Sequence, residues 1–133
     1  MNSNREPEPE TEDFEEQLSD LFHALRATRR RLVIHSLDNN SHEVVPTRLL
    51  ARQIAAKENG IEVGYVSGEP YKNVYNALSQ THLPTLTSAD IIVYDSKRQT
   101  VQKGAVFDLG VLLLNLTQPA IETFFRQYAT DVE

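Results

Sequence analysis

The stretch from Thr81 to Val101, THLPTLTSADIIVYDSKRQTV, decides how this chain folds. It opens on the end of a polar-faced helix and passes through a run of small residues, Thr87-Ser88-Ala89-Asp90, that suits a turn. Two short runs with β-character follow, Ile91-Ile92-Val93-Tyr94 and Thr100-Val101-Gln102, and they close around Asp95-Ser96-Lys97-Arg98. The order is helix, turn, two-stranded hairpin. Such an order sets one helix face beside a hairpin tip, as a winged helix sets its reading helix beside its wing.

Toward the N-terminus, Val74, Ala77, Leu78 and Leu86 give the preceding helix its apolar face, and Pro70 fits its first turn. Pro84 lies inside the pattern. It removes a backbone donor and costs roughly 3 kcal/mol in a regular helix interior, so the helix is placed at 70–82, with extension to Ser88 as the alternative. Residues 60–69 hold three glycines and make a long connection. Before it, Thr47 is placed as the cap of a helix that buries Leu49, Leu50, Ile54 and Ala55 and stops at Gly60. Glu43-Val44-Val45 reads as a short strand that pairs with the wing. Thr28 reads as the cap of a helix with Leu32, Val33, Ser36 and Leu37 inward, ended by Asp38-Asn39-Asn40-Ser41. A first helix starts at Phe14 and carries Leu18, Leu21, Phe22 and Leu25 on one stripe.

Beyond the hairpin, Phe107 to Leu116 is apolar nearly all round. Pro119 then restarts a helix bearing Ile121, Phe124, Phe125 and Tyr128. The expected organisation is a disordered acidic tail (1–13), a winged helix-turn-helix domain (14–104) and a C-terminal helical dimerisation segment (105–133). The fold class is mainly α with a small β-wing, a winged helix-turn-helix with additional N- and C-terminal helices.

Composition narrows the chemistry. The chain has no cysteine, which excludes disulfides, thiol catalysis and cysteine-bound zinc. Its longest apolar run, Val111-Leu112-Leu113-Leu114, is too short for a bilayer span, and no basic-then-apolar leader opens the chain, so the expected location is cytoplasmic, without a membrane partner. The net charge of −6 is unevenly spread. Residues 1–20 hold eight acids and one base, a net −7; residues 21–133 hold eleven acids and twelve bases, a net +1. The folded part is thus near neutral, and local patches decide what it binds. Arginine outnumbers lysine nine to four, a balance that suits a high-salt cytoplasm.

Leu21-Phe22-His23-Ala24-Leu25, followed by Thr28-Arg29-Arg30-Arg31-Leu32-Val33, is similar to the opening of many archaeal and bacterial winged-helix regulators. The string from Tyr75 to Leu86, YNALSQTHLPTL, then Ala89-Asp90-Ile91-Ile92-Val93-Tyr94-Asp95, resembles a domain of unknown function common in halophilic archaea. Ala55-Ala56-Lys57-Glu58-Asn59-Gly60 matches the middle of that family. The resemblance covers roughly residues 18–104, and it implies a winged helix-turn-helix fold and a role in transcription regulation. The chain departs from the family in reading Ala89-Asp90 where Ala-Gly is usual, and in carrying few bases on the helix at 70–82.

On that helix Lys72, Asn73, Tyr75, Asn76, Ser79 and Gln80 can meet base edges, since Asn and Gln pair with adenine and Lys with guanine or phosphate; the alternative is a solvated helix face. Lys97 and Arg98 at the hairpin tip can meet phosphate or the minor groove, or simply form a polar turn. Arg48 and Arg52, four apart, share a face toward the backbone. Arg29-Arg30-Arg31 spread around their helix, and pairing with Glu15, Glu16 and Asp20 competes with phosphate contact. The four histidines show no metal spacing, and no Ser-His-Asp order, phosphate loop or HExxH occurs. No enzyme activity, metal or cofactor is therefore expected. Phe107, Val111, Leu113, Leu114, Ile121, Phe124 and Phe125 are the expected dimer interface.

These observations predict a homodimeric, sequence-specific regulator that binds double-stranded DNA. The alternative is a winged-helix protein–protein interaction module, an adaptor without DNA contact. A third reading, a small molecule near Phe107–Phe125 in a dimer cavity, has no convergent polar group to specify a ligand.

Overall fold

Apolar residues at three- and four-residue spacing fold most of the chain into helices, and the β-branched runs form one small sheet. The computed structural model describes residues 11–132. In chain order these form α1 (Thr11–Leu25), α2 (Thr28–Asp38), β1 (Val45–Pro46), α3 (Thr47–Asn59), a 3₁₀ turn (Val63–Tyr65), α4 (Gly68–Ala77), a π-turn (Leu78–His82), α5 (Leu83–Ser88), β2 (Ile92–Asp95), β3 (Thr100–Lys103) and α6 (Phe107–Val132). The three strands are antiparallel in the order β1-β3-β2. Val45 faces Val101, and Tyr94 faces Val101 from the other side.

One apolar core unites these elements. Val33, Ile34 and Leu37 of α2 meet Leu50 and Ile54 of α3, Val74 and Leu78 of the following rod, Leu83 and Leu86 of α5, and Ile91, Ile92 and Val101 around the sheet. Phe107 and Leu114 close it from α6. The helix α1 is attached more thinly: Ala24 is its buried side chain, and Leu21 and Leu25 lie partly against the core.

Several boundaries differ from the sequence reading. The helix α1 begins at Thr11, inside the segment expected as a disordered tail; the rest of that tail, residues 1–10, lies outside the described residues. Thr28 and Thr47 are first helical residues rather than caps. The caps are Ala27 and Pro46, extended in backbone and without a side-chain bond. Thr47 is fixed instead by its N–H, which donates to the Gln99 carbonyl at 2.9 Å where β1 runs straight into α3.

Pro84 does not end its helix. The N–H of Leu83 reaches back five residues to the Leu78 carbonyl, and this widened turn makes room for the proline ring at the start of α5. Threonine and serine hydroxyls then serve the rod's carbonyls: Thr85 donates to Thr81 O at 2.8 Å, Thr87 to Leu83 O at 2.9 Å and Ser88 to Pro84 O at 3.1 Å. Nor does Pro119 restart a helix. The helix α6 runs unbroken from Phe107 to Val132 with Pro119 inside it. Because Phe107 and Leu114 are sealed in the chain's own core, the first turns of α6 belong to the domain, and these two residues leave the expected dimer seam.

Candidate functional site

The helix α4 owes its exposed face to the same spacing that buries Val74 and Leu78. Lys72, Asn73, Asn76 and Gln80 stand out to solvent; Tyr75 and Ser79 are half-buried. The last two are already engaged. The Tyr75 hydroxyl donates to Gln99 Oε1 at 3.0 Å, and the Ser79 hydroxyl donates to the Tyr75 carbonyl at 2.9 Å. Burial, then the neighbouring Tyr71 and Tyr94, pushes the Tyr75 phenol above its ordinary pKa, which keeps it a donor. Both side chains therefore position the face, and of the residues expected to meet base edges Lys72, Asn73, Asn76 and Gln80 remain free to solvent.

The hairpin turn is built from its own sequence. Asp95 Oδ1 accepts the N–H groups of Lys97 at 3.0 Å and Arg98 at 3.1 Å, an aspartate turn that throws both cations outward. The Arg98 side chain is 84% exposed. Gln99 closes the turn with φ +54°. Its Nε2 donates to Ser96 O at 2.8 Å, its Oε1 receives Tyr75, and its carbonyl receives the Thr47 N–H. One side chain and its carbonyl thus join α3, α4 and the hairpin. The sequence reading missed Gln99; its place after an Asp-x-x-x turn was the available signal.

Arg48 and Arg52 border the same face from α3, both exposed. The Arg52 guanidinium lies over the Tyr71 ring, 5.6 Å from its centroid, and Tyr71 sits 5.9 Å from Tyr75. The structure brings Arg48, Tyr71 and Tyr75 into one neighbourhood, since both Arg48 and Tyr71 act on the Tyr75 phenol.

The arginine triplet goes elsewhere. Arg29 pairs with Glu58 of α3 at 2.9 Å, and that bond holds its pKa above the ordinary value. Arg30 is buried and donates to the carbonyls of Ala24 at 2.8 Å and His23 at 2.9 Å. Arg31 donates to Leu25 O at 2.7 Å and Arg26 O at 2.8 Å. Two of the three thus satisfy the orphan carbonyls at the end of α1, and the expected partners Glu15, Glu16 and Asp20 are replaced by Glu58 and backbone. Arg30 Nη1 also lies 3.1 Å from His82 Nδ1. Arginine can only donate, so Nδ1 carries the lone pair and the ring proton sits on Nε2. Burial, and then the charges of Arg30 and Arg29, lowers the His82 pKa, with Glu58 opposing.

On its own surface, α6 leaves Leu112, Leu116, Ile121, Phe124, Phe125 and Tyr128 exposed. Val111 and Leu113 are half-buried. Among the described residues no helix is long and apolar enough to cross a membrane.

The fold and site describe a mainly helical protein with a small antiparallel sheet and a polar helix face tied to a hairpin. The chain belongs to the family described as a domain of unknown function (DUF7344), which matches residues 22–102. No curated protein and no solved structure matches it.

Proposed function

We propose that the exposed face of α4 and the tip of the β2–β3 hairpin bind double-stranded DNA, and that this chain is a winged helix-turn-helix transcription regulator. The order α2, β1, α3, α4, β2, β3 supports that architecture, with β1 as the third strand beside the hairpin. The observation that carries the reading is the fixed pairing of two unlike surfaces. A row of exposed amides and one lysine (Asn73, Asn76, Gln80, Lys72) is joined through Tyr75 and Gln99 to a turn bearing exposed Lys97 and Arg98. Amides read base edges and hairpin cations hold phosphate. Arg48 and Arg52 extend the cationic border.

The second reading is a protein–protein interaction module, favoured by the near-neutral balance of residues 21–133, eleven acids against twelve bases, where phosphate binders are usually clearly basic. Electrophoretic mobility shifts with random and genomic duplexes, over a range of salt, separate the two. Retardation that sharpens on particular fragments is the expected result; no retardation at any salt favours the adaptor. Asn76→Ala with Gln80→Ala is expected to lower discrimination between cognate and random duplex by about 1–3 kcal/mol per lost contact. Because both side chains are exposed, the melting temperature should stay unchanged. A matching loss of melting temperature would mark them as structural.

A further inference from the structure

The distal half of α6 repeats the pattern of its first half without the same cover. Phe107, Val111 and Leu114 face the core at four- and three-residue steps, and the same phase leads on to Ile121, Phe125 and Tyr128. Those three, with the flanking Phe124, are 55 to 63% exposed, whereas Leu112 and Leu116 lie on the opposite side of the helix. The helix is 26 residues, about 39 Å, long. We infer that this stripe is an interface with a second copy of this chain, in which the two α6 helices cross antiparallel near Phe124 and Phe125.

Two observations select this occupant. The first is area. Ile121, Phe124, Phe125 and Tyr128, with the exposed Phe22 of α1 beside them, present roughly 600 Å² per chain, so two copies bury about 1,200 Å², the lower end of stable specific interfaces. The second is continuity with a groove of about 500 Å³ between α1 and α6, lined by Phe22, Leu25, Leu113 and Ile121, which extends the stripe and offers a recess for an aromatic ring of a second copy. An anionic lipid surface fits poorly, because the adjoining α1 carries Glu15, Glu16 and Asp20 and its apolar Phe14 and Leu18 stand among them.

Sedimentation velocity of the full chain, from micromolar to millimolar, tests the proposal. The expected species has twice the 15.1 kDa chain mass. Phe125→Asp with Tyr128→Glu should weaken association at least about thirtyfold, the size of a lost interface anchor. Circular dichroism of the variant checks that its helices remain. The absence of cysteine allows a second, position-specific reading. Phe125→Cys should cross-link two chains on mild oxidation, whereas Ser96→Cys at the hairpin tip should not. A monomer throughout the series overturns the inference. So does an unaltered dimer in the charged variant, or a cross-link from position 96 in place of 125. Binding of the monomer to phosphatidylglycerol vesicles would assign the stripe to a membrane surface and overturn it equally.

Discussion

Arg30 spans the break between α1 and α2 with three bonds. It joins the last carbonyls of α1 to α2 and reaches His82 near the end of the π-turn. Loss of His82 as an acceptor would set a positive ring against a guanidinium that burial and the neighbouring Arg26 and Arg31 already disfavour. The His82 pKa is lower in the fold than its ordinary 6.5, so folding favours the neutral ring. That contribution is fully present above the unfolded value and is lost progressively as pH falls from it through the lower folded value, because the unfolded chain takes up the proton first. Wild-type melting temperature should therefore drop more between about pH 7 and 5 than that of His82→Asn, which keeps an acceptor for Arg30 but does not titrate. Thermal melts of the two proteins across that range measure the difference, in which the other histidines cancel; parallel curves would refute the assignment. The sequence showed that three consecutive arginines cannot share one ligand, but their targets were set by tertiary placement. The legible clue was that α1 ends without a glycine or asparagine, leaving carbonyls in need of donors.

Elements were legible where periodicity is strong, and less so where one residue type has two uses. The hairpin strands fell within a residue of their expected places, as did the stop of α3 at Gly60, which is left-handed at φ +63°. Pro84 and Pro119 misled because the local rule treats proline as a breaker, whereas a π-turn absorbs one and α6 carries the other. The turn at Ala89-Asp90 shows the backbone setting a residue's use. Asp90 sits at φ +61°, a conformation that glycine adopts freely and that aspartate tolerates better than most side chains. Gly104 is needed for a different reason. A Cβ there would lie 2.6 Å from Asp90 O, 2.8 Å from Ile91 C and 2.9 Å from Ile92 N, all backbone atoms that cannot swing aside. Gly104→Ala is expected to cost about 1–3 kcal/mol in urea denaturation, by forcing the start of β2 away from the end of β3. Gly110→Ala is the matched control. Its Cβ would meet Ile91 Cγ2 at 3.6 Å, ordinary contact, and alanine favours a helix by about 0.5–1 kcal/mol over glycine. Equal effects at the two sites would remove the close-approach argument.

At the scale of the whole molecule, acids gather on α1, while α3, α4 and the hairpin mix cations with Glu58, Glu69 and Asp95. Asp13, Glu15, Glu16 and Asp20 lie on α1, which packs against α2 and α5. The exposed cations of the proposed DNA face, Arg48, Arg52, Lys72, Lys97 and Arg98, lie on α3, α4 and the hairpin tip. The net charge of −6 therefore says little about that face, and its salt response says more. Each phosphate neutralised on B-form DNA contributes about 0.9 to the slope of log K against log salt, so five cations per chain bound the slope at about −4.5 for each chain bound. A single lysine that touches phosphate should account for about one unit of it. Lys97→Ala is accordingly expected to weaken binding to every duplex by a similar factor and to flatten the slope by about 0.9 for each chain bound, leaving the preference among sequences intact. Arg26→Ala, an exposed cation between α1 and α2, should leave the slope as it is. Fluorescence anisotropy titrations at several salt concentrations read both quantities. A slope equal in wild type and Lys97→Ala would take the hairpin tip off the duplex. A slope flattened as much by Arg26→Ala would show that total charge, rather than the α4–hairpin face, governs the encounter.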